Sequence, residues 1–147
     1  MSDVNWILSK ILEDQSAITR FEEKYGIKFP EEFKSIVRQF NGGRPRPNIF
    51  DSTQRKELVA KALLSFNESH TENIWDTYES LKTRLPKNII PFLTDQFGNY
   101  ICFDYRNTTI PTIVLWDHEK AFSYYQDAII YVEDTFESFL ASLYSID

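Results

Sequence analysis

The chain has 147 residues, 16% of them aromatic, and a formal net charge of −6 at neutral pH. This length predicts one domain covering residues 1–147, which would bury roughly 68–70% of its unfolded surface. No window reaches the ~18 apolar residues of a membrane span, and the N-terminal sequence lacks the pattern of a secretory signal. Because Cys102 is the single cysteine, no internal disulfide can form, and we expect a reducing, cytoplasmic location.

The acidic and basic residues are unevenly distributed. Residues 1–116 carry 15 acidic and 15 basic side chains, whereas residues 117–147 carry seven acids against Lys120 alone. The last segment therefore accounts for the whole net charge. Basic residues between 44 and 61 are interrupted by acids, so direct nucleic-acid binding is not expected. An acidic segment suits a cationic protein partner, although a solvated helix face remains the alternative.

The first 43 residues predict helices. Apolar residues between 6 and 11 indicate a short first helix. Residues 18–25 then follow helical spacing, and Gly26 provides a stop. Pro30 and two glutamates fit the start of a further helix, whose apolar stripe ends at the sequence NGG, residues 41–43.

The next region is less regular. Two prolines within four residues prevent residues 44–53 from holding regular structure for long. Residues 56–66, KELVAKALLSF, predict a strand, since the following SHTE at 69–72 has the pattern of a capping box. The helix opened by this box is expected to close before Pro86.

From residue 88 the pattern becomes that of strands. Short segments rich in Ile, Val, Phe and Tyr cover 88–93, 99–105 and 112–116, and 128–132 is a fourth. A second capping-box pattern at 134–137 opens a final helix. This succession predicts an α+β fold, with an antiparallel meander of about four to six strands and helices packed on one face.

Several carboxylates and a histidine surround these strands. Asp95 fits a turn and Asp104 a strand end. The sequence has no EF-hand pattern, and its two histidines and one cysteine are widely separated, so we expect no metal and no cofactor. His118 with Asp104 or Asp117 is the candidate pair of a small hydrolase. Adjacent strand residues point to opposite faces, and no nucleophile motif is present, so we expect no catalytic residue.

Four segments occur in an order typical of a known superfamily. They are FEEKYGIKFPEEFKSIVRQFNGG, IPFLTDQFGNYICFDYR, IVLWDHE and FESFLASLY. Together, over residues 16–144, they resemble the SUKH superfamily, in particular its bacterial immunity proteins. The long segment at 56–88 resembles the subgroup found beside LXG-type polymorphic toxins of Gram-positive bacteria.

The resemblance implies a non-enzymatic antitoxin that neutralises the C-terminal domain of a cognate toxin, a cationic nuclease and specifically a ribonuclease. A non-toxin protein-binding or regulatory module of the same fold is the alternative. The superfamily supplies no catalytic residues, and we transfer no binding role from its motifs. Charge and aromatic character instead select the candidate partner-binding residues, which are Asp117, Glu119, Tyr124, Tyr125, Asp127, Glu133 and Asp134.

Overall fold

The computed structural model describes residues 3–123 and 128–146, without the side chains of residues 122 and 123. The helices in this part of the chain are α1 (Ala17–Tyr25), α2 (Glu31–Phe40), α3 (Ile74–Leu81), α4 (His118–Ser123) and α5 (Phe136–Ser142). The strands are β1 (Asn5–Ile7), β2 (Arg44–Arg46), β3 (Ile49–Phe50), β4 (Leu58–Val59), β5 (Ala62–Leu63), β6 (Ile89–Thr94), β7 (Tyr100–Asp104), β8 (Thr112–Trp116) and β9 (Ile129–Glu133). None of these helices is long and apolar enough to cross a membrane.

The main sheet is antiparallel, with strand order β5–β6–β7–β8–β9, and it confirms the predicted meander and the α+β class. The short strands pair outside it, β1 with β2 and β3 with β4. The register aligns Asp104 with Thr112 and Tyr100 with Trp116. We therefore name the two ends of the sheet the Asp104 end and the Trp116 end. Glu133, the last residue of β9, lies at the Asp104 end.

Phenylalanine rings hold α2 and α5 on one face of the sheet. Phe92 of β6 stacks on Phe103 of β7 with ring centroids 4.1 Å apart. Phe33 of α2 lies 5.0 Å from Phe103 and 5.5 Å from Phe136 of α5. Such aromatic pairs add about 0.5–1.5 kcal/mol each beyond the burial of their surface. The main core therefore lies on one face, as the sequence predicts.

The opposite face of the sheet carries a smaller apolar cluster. Cys102 and Trp116 point into it, together with Leu85 from the segment after α3. Burial raises the pKa of the Cys102 thiol well above its ordinary value, as expected for a packed thiol rather than a nucleophile. Both faces of the central strands are thus covered, which explains why β8 is apolar at nearly every position.

The predicted first helix is wrong. Residues 5–7 form β1, in which Trp6 lies opposite Pro45 of β2. Trp6 packs against the main core, but Ile7 and Ile11 remain exposed. A helix over this segment would have had no continuous apolar face to bury, so pairing with β2 satisfies the backbone instead.

The capping box predicted at residues 69–72 is also wrong. A β-bridge between Ser65 and Asn73 keeps Asn73 itself extended, and residues 68–72 form turns and bends rather than a helix. Asn73 is the N-cap of α3, and its Oδ1 accepts a hydrogen bond from the Asp76 amide at 2.8 Å. The strand predicted at 56–66 is present as two short pieces, β4 and β5.

The C-terminal part differs from the prediction in two details. Helix α4, which follows β8 directly, was not expected from the sequence. The capping box of α5 is shifted by one residue, since Thr135 and Ser138 exchange side-chain-to-backbone hydrogen bonds of 3.0 and 3.1 Å. Asp134 is not the cap because its carboxylate accepts the hydroxyl of Tyr131.

Asn41, which follows α2, generates a stability prediction. It is fully buried, its Nδ2 donates to Ser65 Oγ at 3.0 Å, and its Oδ1 accepts from the Phe66 amide at 2.9 Å. Asn41→Ala should lower the free energy of unfolding by about 2 kcal/mol, since the buried Phe66 amide loses its acceptor. Urea denaturation measures this loss. Asn107→Ala, at an exposed position, is the control and should stay within about 0.5 kcal/mol of the parent; equal losses would contradict the assignment.

Candidate partner-binding site

The turn between β6 and β7 is organised by Asp95. Its Oδ1 accepts hydrogen bonds from the Phe97 and Asn99 amides, both at 2.8 Å, and its Oδ2 accepts from Asn99 Nδ2 at 3.1 Å. Gly98 has a φ of +84°, a conformation that glycine adopts without strain. The expectation that Asp95 is a turn residue is therefore confirmed.

Asn99 connects this turn to the WDHE segment. Its Oδ1 accepts from the His118 amide at 3.0 Å and lies 2.6 Å from His118 Nδ1. A Cβ added at Gly98 would lie 3.6 Å from His118 Cε1. Two motifs that are almost twenty residues apart in the sequence thus pack together at the Trp116 end, and the contacts between them are those of a folded corner.

Within the described part of the chain, no hydrogen bond joins His118 to Asp104 or to Asp117, the two pairs proposed from the sequence for a hydrolase. His118 Nδ1 contacts Asn99, whereas Asp104 lies at the other end of the sheet and pairs with Arg106 at 2.9 Å. Asp117 Oδ1 accepts the backbone amides of Glu119 and Lys120 at 3.0 and 3.3 Å. No group of three or more His, Cys, Asp or Glu side chains in residues 3–121 and 128–146 could hold a metal ion.

Asp117, one of the predicted partner-binding residues, has a structural role. It is buried, and its two hydrogen bonds cap the first turn of α4. Glu119, two residues later, is exposed. A partner can reach Glu119 directly, whereas the carboxylate of Asp117 acts on the surface through the helix that it caps.

The structure separates the predicted acidic residues into two groups. Glu119 follows β8 at the Trp116 end, whereas Glu133 and Asp134 close β9 at the Asp104 end. Four residue steps along β9 separate these ends by roughly 13 Å. The C-terminal acids therefore form two surfaces rather than one. The predictions for Tyr124, Tyr125 and Asp127 lie outside the described residues.

Tyr131 contacts the acidic surface at the Asp104 end, but it is not among the partner-binding residues predicted from the sequence. Its hydroxyl donates to Asp134, and this hydrogen bond raises the pKa of Tyr131 to about 12. The ring is 42% exposed. The signal in the sequence was its position in β9, where IIYVE alternates between buried and accessible positions.

At the Trp116 end, two candidate partner-binding residues that were not predicted from the sequence are Phe97 and Arg55. Phe97 is 51% exposed at the tip of the turn, and the Arg55 guanidinium lies 5.0 Å from the centre of its ring. Both residues line a cavity of about 200 Å³ together with Glu119. An exposed phenylalanine beside an arginine is typical of interface hot spots. Phe97 was visible in the sequence as an aromatic residue in an otherwise polar turn.

Comparison with protein families assigns this chain to a known family. The sequence matches the family SUKH_6, described as SMI1-KNR4 cell-wall, over residues 15–140. The chain belongs to the SUKH superfamily. SUKH proteins are generally immunity proteins, and this membership supports an immunity function in general terms and a toxin as partner. None of the curated proteins searched matches this SUKH chain significantly.

The different tasks of Asp117 and Glu119 can be tested by stability. Asp117→Ala should destabilise this SUKH protein by about 1–2 kcal/mol, because the first turn of α4 loses its cap. Glu119→Ala should change stability by less than about 0.5 kcal/mol, because its side chain is exposed. Thermal denaturation of both variants makes the comparison. A smaller loss for Asp117→Ala than for Glu119→Ala would refute the capping role.

Proposed function

We propose that this SUKH protein is a cytoplasmic, single-domain immunity protein without enzymatic activity. It binds the C-terminal domain of a cognate polymorphic toxin of the LXG type, a ribonuclease, and blocks its active surface. The family match over residues 15–140 is the observation that carries the proposal. The order of segments in the sequence and the long segment at 56–88 support the more specific association with LXG toxins.

Charge supports a nuclease as the partner. A ribonuclease needs a cationic surface to hold phosphates, and residues 117–147 account for the whole net charge of −6. Glu119 and Asp134 are exposed at the two ends of β9. A standard interface covers roughly 800 Å² on each partner, which is wide enough to include both ends. The toxin would thus contact both acidic surfaces at once, with Phe97 and Tyr131 as aromatic anchors.

Co-expression with the neighbouring toxin domain tests the immunity function. The protein should restore growth and prevent RNA degradation, and it should co-purify with the toxin domain. The control is Phe33→Asp, which places a charge in the phenylalanine core and should unfold the chain without changing its expression signals. Absence of both rescue and binding with every adjacent toxin would refute the proposal. Rescue from a toxin that leaves RNA intact would refute its ribonuclease part.

Reversal of the acids at the two ends of the sheet tests the electrostatic contribution. A variant with Glu119, Glu133 and Asp134 changed to Lys should associate with the toxin at least about tenfold more slowly at low salt, because complementary fields accelerate encounter. Its melting temperature should change little. Stopped-flow measurements at several salt concentrations should show that the difference shrinks as salt screens the charges.

The control for this experiment changes the net charge equally at other places. Asp3, Glu32 and Glu72 lie outside both acidic surfaces, and none of their carboxylates forms an ion pair with another described residue. Their replacement by Lys should slow association less than the first variant does. Equal slowing by the two variants would show that total charge matters rather than the two surfaces at the ends of β9.

A regulatory binding module is the second candidate function. The matched family is described as SMI1-KNR4 cell-wall, a description that does not itself refer to a toxin. In this case the same exposed residues would bind a host protein. Affinity purification from the native host in the absence of the toxin gene separates the candidates, since an immunity protein should then recover no stoichiometric partner.

A further inference from the structure

A cavity that sequence reasoning did not predict opens at the Asp104 end of the sheet. Its volume is about 530 Å³, and it is lined by one side of α1, the loop that follows α1, Asn88, Tyr105, Thr108 and Thr109. Pockets that bind small ligands have volumes of roughly 300–1,000 Å³. Glu133 and Asp134 lie at the same end of the sheet, so the cavity belongs to the same side of the molecule as one acidic surface.

A buried carboxylate forms part of the cavity wall. Glu22 is about nine-tenths buried, its Oε2 accepts from the Phe29 amide at 2.7 Å, and the same atom lies 3.4 Å from Lys34 Nζ. Lys34 Nζ also forms an ion pair with Glu31, whose Oε2 lies 3.0 Å away. Among the described residues, no hydrogen bond reaches the second oxygen of Glu22, Oε1. This oxygen is therefore an available acceptor on a residue that lines the cavity.

The other walls combine an aromatic ring with hydroxyl groups. The hydroxyl of Tyr105 donates to the Lys28 carbonyl at 2.7 Å, which fixes the ring, and burial raises the pKa of Tyr105, so its hydroxyl stays neutral. Thr108 and Thr109 add hydroxyl acceptors. Two exposed lining residues, Glu23 and Lys28, carry charges of opposite sign.

We propose that this cavity receives a cationic side chain, an arginine, from the protein partner. A guanidinium group has five donors in a planar fork, which suits the free oxygen of Glu22 and the threonine hydroxyls, and its plane packs well on a tyrosine ring. Among the residues that line the cavity, Glu22 and Glu23 outnumber Lys28, which favours a cation. The inference rests on the proposed function for the cationic character of the partner.

Capped amino acids test the cavity without the toxin. N-acetyl-arginine amide, titrated into the ¹⁵N-labelled protein, should give saturable shifts of the amides of residues 26, 105, 108 and 109. N-acetyl-citrulline amide, a neutral analogue of nearly the same shape, should bind about tenfold more weakly, because a hydrogen bond to a charged group is lost. No saturable shift at these amides, or equal affinity for citrulline, would overturn the proposal.

Two variants and a control assign the binding to this cavity. Glu22→Gln keeps an acceptor for the Phe29 amide and should abolish the preference for arginine over citrulline. Thr109→Trp, at an exposed position that lines the cavity, should weaken binding of both probes. This second variant tests the cavity independently if Glu22→Gln folds poorly. Glu32→Gln, which removes a carboxylate that lies outside the cavity lining, should bind both probes as the parent does. An unchanged preference in Glu22→Gln would refute the role of Glu22.

A third probe distinguishes an arginine side chain of a protein from free arginine as the ligand. Free L-arginine carries an additional carboxylate and ammonium, and it should bind no more tightly than the capped amide. Tighter binding of free arginine would overturn the proposal in favour of a small-molecule site. Because these titrations contain no toxin, their failure would leave the immunity function untouched, and failure of the co-expression test would leave the arginine preference measurable.

Discussion

The packing of Phe33 against the stacked pair Phe92 and Phe103 is the contact on which the rest of the structure depends. It joins α2 to the two central strands, and Phe136 of α5 closes the same cluster. Rings of this size fill space at near-crystalline density, so the two helices can take few other positions on the sheet. With one face covered by α2 and α5 and the other by the smaller cluster around Trp116, accessible polar groups gather at the ends of the strands.

This arrangement explains why the candidate binding features lie at two separate ends. At the Trp116 end, Asp95, Asn99 and Asp117 are all committed to turn and cap hydrogen bonds, which leaves Glu119 and Phe97 to face solvent. At the Asp104 end, Tyr131 and Asp134 lie on the same side as the cavity that Glu22 lines. Buried polar groups build the corners, and their exposed neighbours are the ones that a partner can contact.

The sequence predicted most elements because their local signals agree with the final packing. The apolar stripe of α2 has helical periodicity. The strands after residue 88 are short, rich in β-branched and aromatic residues and bounded by turn residues, so few alternatives remain. The failures occurred where a distant segment decided the local conformation. Residues 5–7 pair with β2, which lies almost forty positions away, and the helix expected at residue 70 starts later because Asn73 bridges to Ser65. Neither partner is visible in a local pattern.

By itself, the sequence determined the class of fold, the family segments and the concentration of negative charge after Trp116, because these follow from periodicity, residue order and composition. Only the tertiary structure decided which charges are available. The register of β8 and β9 places Glu119 and Glu133 at opposite ends, and the start of α4 turns Asp117 inward as a cap. The cavity beside Glu22 arises from segments far apart in the chain. Exposure and proximity depend on contacts between distant residues, and a linear pattern does not record those contacts.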